Sequence, residues 1–269
     1  MNINFKDEVC YLTFKDFEKH SFIKHAFSTR VGGVSKNEFK SMNLSFSRGD
    51  VEEFVMENYK IICSALNFDI NKLVRAQQVH GNFIKKITYN DVKNKKFKEL
   101  VYDSSDGFVT DVPGVILTTS HADCMPVFMF DESKKVVGLA HAGWRGTVAK
   151  IALKLAETFV NEYGSYKTDL FCAIGPGIGK CCFEVSKPVL SEFENLEIDN
   201  FYIKSKNNPD KAYIDISEVN KKLLLKFGID ERNIFKSDVC SSCNKDLLFS
   251  HRATQGRRGN NLAFISILD

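Results

Sequence analysis

The chain has 269 residues, of which 43% are hydrophobic, 12% aromatic and 26% charged, the make-up of an ordinary soluble globular protein. Its 37 basic side chains against 34 acidic ones leave a net charge of +3. That balance, with no basic stripe interleaved with aromatics, argues against a nucleic-acid partner. A chain of this length buries roughly three-quarters of its unfolded surface, so its core needs no disulfides.

The N-terminus, Met1 to Cys10, has no basic start followed by an apolar run, so no signal peptide is expected. Nothing approaches 18 consecutive apolar residues, so no membrane span is expected. The eight cysteines are then expected in a reducing cytoplasm, each as a core residue, a ligand or a nucleophile. The residues from Val9 to Ser28 read as two short strands around a polar turn. Adjacent glycines mark Thr29 to Ser35 as a loop. Phe54, Val55, Tyr59, Ile62 and Leu66 recur at close to 3.6 residues and predict a helix over Val51 to Leu66. Leu73 to Val79 reads as a strand delivering His80 and Gly81. The basic stretch Lys93 to Lys98 reads as a solvated loop.

Gly114 to Thr119 and Val136 to Ala140 read as buried strands. Val148, Ile151, Ala152, Leu155 and Phe159 form one face and predict a helix from Thr147 to Phe159. Leu170 to Ile174 reads as a strand, followed by the loop Gly175 to Gly179. A helix near Ser217 to Phe227, a Cys240-x-x-Cys243 turn and a strand at Leu262 to Ile267 close the chain. The elements alternate without regular βαβ spacing, so a mixed α/β fold with one substantial sheet is expected.

Three segments share a design in which an apolar strand leads to a metal-binding side chain and then to small residues. They are Gln77-Gln-Val-His-Gly81, His121-Ala-Asp-Cys-Met-Pro126 and His141-Ala-Gly-Trp-Arg-Gly146. His80, Cys124 and His141 make a borderline-soft donor set that suits zinc or copper better than magnesium or calcium. Three protein ligands leave one position open, as catalytic zinc requires.

These motifs resemble those of the YfiH/YlmD family, also called the laccase-domain or multicopper polyphenol oxidase family, which includes purine nucleoside phosphorylases. The resemblance rests on Gln78-Val-His-Gly81, Ala122-Asp-Cys-x-Pro-Val127 and His141-Ala-Gly-Trp-Arg-Gly146. It extends through Phe27-Ser-Thr-Arg30, Gly32-Gly-Val-Ser35, Asn43-Leu-Ser45, Gly49-Asp50, Ile174-Gly-Pro-Gly-Ile178, Phe183-Glu-Val185 and Phe249-Ser-His-Arg252, over nearly the whole chain. It implies a single α/β domain over residues 1–269, with helices packed on a mixed sheet and a metal at His80, Cys124 and His141. It also implies zinc-dependent phosphorolysis of adenosine, inosine and 5′-methylthioadenosine, with adenosine deamination in addition.

Phosphorolysis needs a held phosphate dianion, and a guanidinium offers a bidentate fork for one. Arg30, Arg48, Arg145 and Arg252 are the candidates, with Arg145 and Arg48 foremost because both lie in motif loops. Arg145 is expected at the start of the Thr147 to Phe159 helix, where amide groups favour an anion. Asn43 and Gln78 are further candidates for substrate contact. Asp123 is either a general base or orienter of a ligand imidazole, or a carboxylate capping a turn. Trp144 and Phe249 either stack on a purine or belong to the core. His121 is a spare imidazole and is not expected to be a ligand.

Cys240-Ser-Ser-Cys243 has no second Cys-x-x-Cys to complete a zinc knuckle. Together with Cys181 and Cys182 it reads as structural or incidental. A copper-dependent polyphenol oxidase is the alternative activity, but six histidines are too few for several copper sites. A zinc-dependent binding or redox module is a further alternative. The sequence carries no signal of oligomeric state.

Overall fold

In the computed structural model, which describes residues 1–268, two large sheets carry the molecule. One has seven strands in the order Asn2–Lys6, Val9–Thr13, Ile23–Ser28, Asn261–Ile267, Ile116–His121, Leu73–Gln77 and Val101–Asp103. The other has six, in the order Ile234–Lys236, Leu170–Ile174, Met125–Asp131, Val136–Ala142, Gly107–Thr110 and Ile84–Lys86. Both are mainly antiparallel with parallel pairs toward their edges, such as Leu73–Gln77 beside Val101–Asp103 and Ile84–Lys86 beside Gly107–Thr110. A small three-stranded sheet, Glu184–Ser186, Lys211–Ile214 and Tyr202–Lys204, stands apart.

The strand period of two decides which side chains enter which core. From strand Met125–Asp131, Phe128 and Phe130 share a core with Leu12, Phe27, Leu117 and Ile265 of the seven-stranded sheet. Val127 and Met129 point the other way, into a core with Ile151, Leu155 and Phe159 of helix Ile151–Tyr163. Each fully buried Phe contributes roughly 1.5–3 kcal/mol. On the outer face of the seven-stranded sheet, Ile116 and Phe264 share a third core with Val55, Tyr59 and Ile62 of helix Glu52–Ala65. The layers therefore run helix, sheet, sheet, helices. Gly138 lets the last of these close up, because a Cβ there would lie 2.7 Å from Phe159 and 2.8 Å from Leu155.

The mixed α/β class holds, with helices packed on sheets, but the expected single substantial sheet is divided into two. The added element is strand Met125–Asp131, at the centre of the six-stranded sheet. All seven of its residues are buried. A strand covered on both faces loses the polar alternation by which strands are recognised. The helix expected over Thr147 to Phe159 is also divided, into Trp144–Val148 and Ile151–Tyr163. Lys150 lies between them with φ +61°, a left-handed conformation that no helix interior accepts. Arg145 consequently lies inside the first short helix, not ahead of a long one.

Candidate metal centre and ligand cavity

The three motif residues meet where the chain passes between the two large sheets. His80 follows strand Leu73–Gln77 of one sheet, and His141 lies within strand Val136–Ala142 of the other. Cys124 occupies the turn joining Ile116–His121 to Met125–Asp131. One donor atom from each lies within 4.8 Å of the others, and the His80 and His141 rings are 4.9 Å apart at 82°. Gly143 closes over them without a side chain. A Cβ at that position would lie 2.9 Å from Cys124 Sγ and 3.2 Å from His80. Two imidazoles and a thiolate at this spacing, with room kept by a glycine, fit a zinc or copper ion.

Asp106, which sequence reasoning missed, holds the His141 imidazole and the backbone that carries His80. It is fully buried, and it accepts a hydrogen bond from His141 Nδ1 at 3.0 Å. The backbone N–H groups of Val79, His80 and Gly81 also donate to its carboxylate, at 3.1, 3.0 and 2.7 Å. His80 has φ +62°, so three successive amides curl round one anion. Burial raises the carboxyl pKa, but His141 and the amides outweigh it and hold it below its ordinary value. Because the carboxylate can only accept, His141 Nδ1 carries the proton and Nε2 is left for a metal. An isolated Asp in Ser-Ser-Asp-Gly carries no sequence signature for this role.

The same field acts on the donors. Burial opposes a Cys124 thiolate, yet the charge of His141 and hydrogen bonds from His141 and His80 bring its pKa down to about 6. His141 is raised to about 9, with burial outweighed by the Cys124 thiolate and Asp106. His121 is pushed well below its ordinary value, first by burial and then by His141. Its Nδ1 donates to the Cys124 carbonyl at 3.0 Å and its Nε2 accepts from Thr119 Oγ1 at 2.7 Å, so it braces the Cys124 turn with both nitrogens engaged.

The three donors face a cavity of about 610 Å³, within the size range of small-molecule sites. Gln78, Arg48, Arg75, Arg258 and Phe46 are in its lining. Gln78 is pinned by a pair of bonds to the Ser120 backbone at 3.0 and 2.6 Å. Arg258 is buried, and burial together with the neighbouring Arg48 cation brings its pKa down to about 10. Arg75 Nε, Arg258 Nε and Asn260 Oδ1, all from lining residues, are buried without a hydrogen-bond partner among the described residues.

The profile of the family described as "Multi-copper polyphenol oxidoreductase laccase" matches residues 24–268. The chain belongs to that family. It is 36% identical over 241 residues to the purine nucleoside phosphorylase YlmD of Geobacillus stearothermophilus, covering 88% of each chain. It is 31% identical over 242 residues to YlmD of Bacillus subtilis, covering 90% of this chain and 87% of the relative. The crystal structure of YlmD from Geobacillus stearothermophilus superposes with a TM-score of 0.91 over 99% of both chains, at 31% identity.

Within this laccase-family fold, the remaining expected site residues fall into distinct places. Arg145 is absent from the cavity lining, and its guanidinium lies 4.2 Å from the centre of the Trp144 ring. Phe249 is fully buried with Arg30 against its ring at 4.6 Å, so it has no face open to a purine. Arg30 itself donates to the carbonyls of Lys40 and Lys245. Asn43 is fully buried too. It donates to Asp50 at 2.9 Å and accepts from the Asn260 amide at 3.0 Å, which braces the loop carrying Arg258. Asp123 stands behind the cavity wall, its carboxylate held by Ser241 Oγ and the Arg252 amide, each at 2.7 Å. Arg252 reaches the Cys182 carbonyl at 2.7 Å. Arg258 itself was legible only as an Arg in Gly256-Arg-Arg-Gly259, where small flanking residues let a buried guanidinium approach the wall.

Among the described residues, no helix is long and apolar enough to cross a membrane.

Proposed function

We propose that the cavity binds a purine nucleoside together with inorganic phosphate and catalyses phosphorolysis, with adenosine, inosine and 5′-methylthioadenosine as substrates and adenosine deamination as a second reaction. One observation carries this reading: an open three-donor set shares one cavity with three guanidinium groups, those of Arg48, Arg75 and Arg258. The names of the YlmD relatives support the same reaction class.

In phosphorolysis the C1′–N9 bond breaks with its electron pair passing to the base, and a phosphate oxygen bonds to C1′. The base takes up a proton and leaves ribose 1-phosphate behind. Arg48 and Arg258 hold the phosphate, neutralising a dianion at a wall where burial strengthens the attraction. Phe46, stacked on Tyr59 with centroids 5.5 Å apart, offers an apolar face to the purine. Gln78, fixed by Ser120, orients the bound nucleoside. Asp106 keeps His141 in one tautomer and His80 in one backbone conformation.

His80, Cys124 and His141 would hold zinc, which would supply a Lewis acid at the cavity. Copper suits the same donors, but the described residues offer no second imidazole-rich group from which a multicopper centre could be built. Deamination exchanges the C6 amino group for an oxygen from water, with loss of ammonia, and draws on the same wall without the phosphate site.

The test is product analysis of metal-replete protein with each nucleoside, with and without phosphate. Free base and the sugar 1-phosphate are expected only when phosphate is present, and inosine from adenosine in either case. Free ribose formed at equal rates without phosphate would contradict phosphorolysis.

A further inference from the structure

Behind Asp123 stands a second group of donors that the reaction does not use. Cys181 and Cys182 follow the loop at 175–179, and Cys240 and Cys243 lie in the turn after strand Ile234–Lys236. The four sulfurs lie within 4.8 Å of one another. Cys243 Sγ is 3.5 Å from Cys181 Sγ and 3.4 Å from Cys182 Sγ. Zinc bonds thiolate at about 2.3 Å, which puts tetrahedral sulfurs about 3.8 Å apart. The two Cys243 spacings fall a few tenths of an ångström short of that value, and no pair in the group exceeds 4.8 Å.

The backbone is shaped round the sulfurs. Gly179 N–H donates to Cys240 Sγ at 3.2 Å, and a Cβ on Gly179 would lie 3.2 Å from Cys181 Sγ. Gly177 forms a β-bridge with Cys240, and the Ser241 amide donates to the Gly177 carbonyl at 2.9 Å. Asn244 Nδ2 caps the Cys240 carbonyl at 2.8 Å. Two chain segments about sixty residues apart are thus held so that four thiols face one point.

We propose that Cys181, Cys182, Cys240 and Cys243 form a second, closed zinc site that braces the wall carrying Cys124. Four thiolates fill a tetrahedral ion and leave no position for substrate, the mark of a structural site. The brace runs through short bonds. Ser241, next to Cys240, donates to Asp123, and Arg252 joins the Asp123 carboxylate to the Cys182 carbonyl. Ile178 donates to the Asp123 carbonyl at 2.7 Å. Asp123 has φ +89° and immediately precedes Cys124, so a rigid cluster here fixes a strained residue beside the open site. The assignment holds whatever reaction the cavity performs.

The test is metal analysis of full-length protein purified with reductant and zinc. Wild type should hold two zinc ions per chain, and Cys181→Ser/Cys243→Ser and Cys124→Ala one each. Wild type reconstituted with cobalt should show the absorption of a tetrahedral four-thiolate centre, retained in Cys124→Ala; this arm needs no folded cluster variant. Cys181→Ser/Cys243→Ser should melt below Cys124→Ala. One zinc in wild type, no four-thiolate cobalt signature, or a disulfide among these cysteines in native protein kept reduced would overturn the site. Equal melting temperatures for the two variants would overturn the brace.

Discussion

At His80, Cys124 and His141, three donors from three chain segments face a cavity. At Cys181, Cys182, Cys240 and Cys243, four donors from two segments face one another. The first group is mixed in chemistry and has a buried carboxylate behind it. The second is all thiol, has a backbone N–H donating to one of its sulfurs, and has two members exposed to solvent. Asp123 lies between them, bonded toward the second and adjacent in sequence to the first. On the two proposed assignments, one fold separates two uses of the same element. Chemistry needs an unfilled position and an electrostatic partner that sets protonation, whereas bracing needs only a filled shell.

The largest effect that sharpens this contrast is at Cys124. Cys124→Ala should abolish phosphate-dependent turnover and remove the metal facing the cavity while the protein stays folded, as read by circular dichroism and metal analysis. Unfolding of that variant would make the open site structural as well. Asp106→Asn comes next. Loss of an outer partner to a ligand histidine typically costs about 10–100-fold in metal affinity or activity, and a competition titration with a chelator measures it. Unchanged affinity would mean that the three backbone amides alone set the geometry.

Arg258→Ala should raise the KM for phosphate about tenfold or more, the expected scale for a hydrogen bond to a charged group. Arg145→Ala should change it by less than about twofold on the same energetic scale, because that guanidinium rests on Trp144 away from the cavity. Reversed outcomes in steady-state kinetics would restore Arg145 to the phosphate. The smallest effect concerns pH. In chelator-stripped protein the lowered Cys124 pKa means thiolate persists above about pH 6. Iodoacetamide labelling of Cys124, followed by peptide mass spectrometry, should therefore keep its rate down to that pH. Buried Cys63, whose thiol is pushed up to about 12 by burial and by Asp69, should stay unlabelled across the neutral range. A labelling midpoint near that of an ordinary thiol would contradict the His141 influence.

The donor group His80, Cys124 and His141, which could hold a metal, was legible because each residue stood in a motif long enough to recognise. The layer order was less so, since strand Met125–Asp131 is buried on both faces and reads as a continuous apolar run. Asp106 and Arg258 escaped notice because neither lies in a motif and each acts through burial, which a local pattern does not display. Asn43 and Phe249 misled for the opposite reason. Both sit in recognisable motifs, yet their side chains hold the scaffold behind the wall. The four-cysteine cluster was missed because a second Cys-x-x-Cys was sought, whereas its other half is an adjacent pair that only the fold brings near.

The most direct test of the contrast between the two groups is an anomalous difference map at the zinc edge from crystals of the zinc-loaded protein. Two peaks are expected. One should be bound by His80, Cys124 and His141 with its remaining position open to the cavity, and the other enclosed by the four cysteine sulfurs. A single peak, or a first peak completed by a fourth protein side chain, would contradict it.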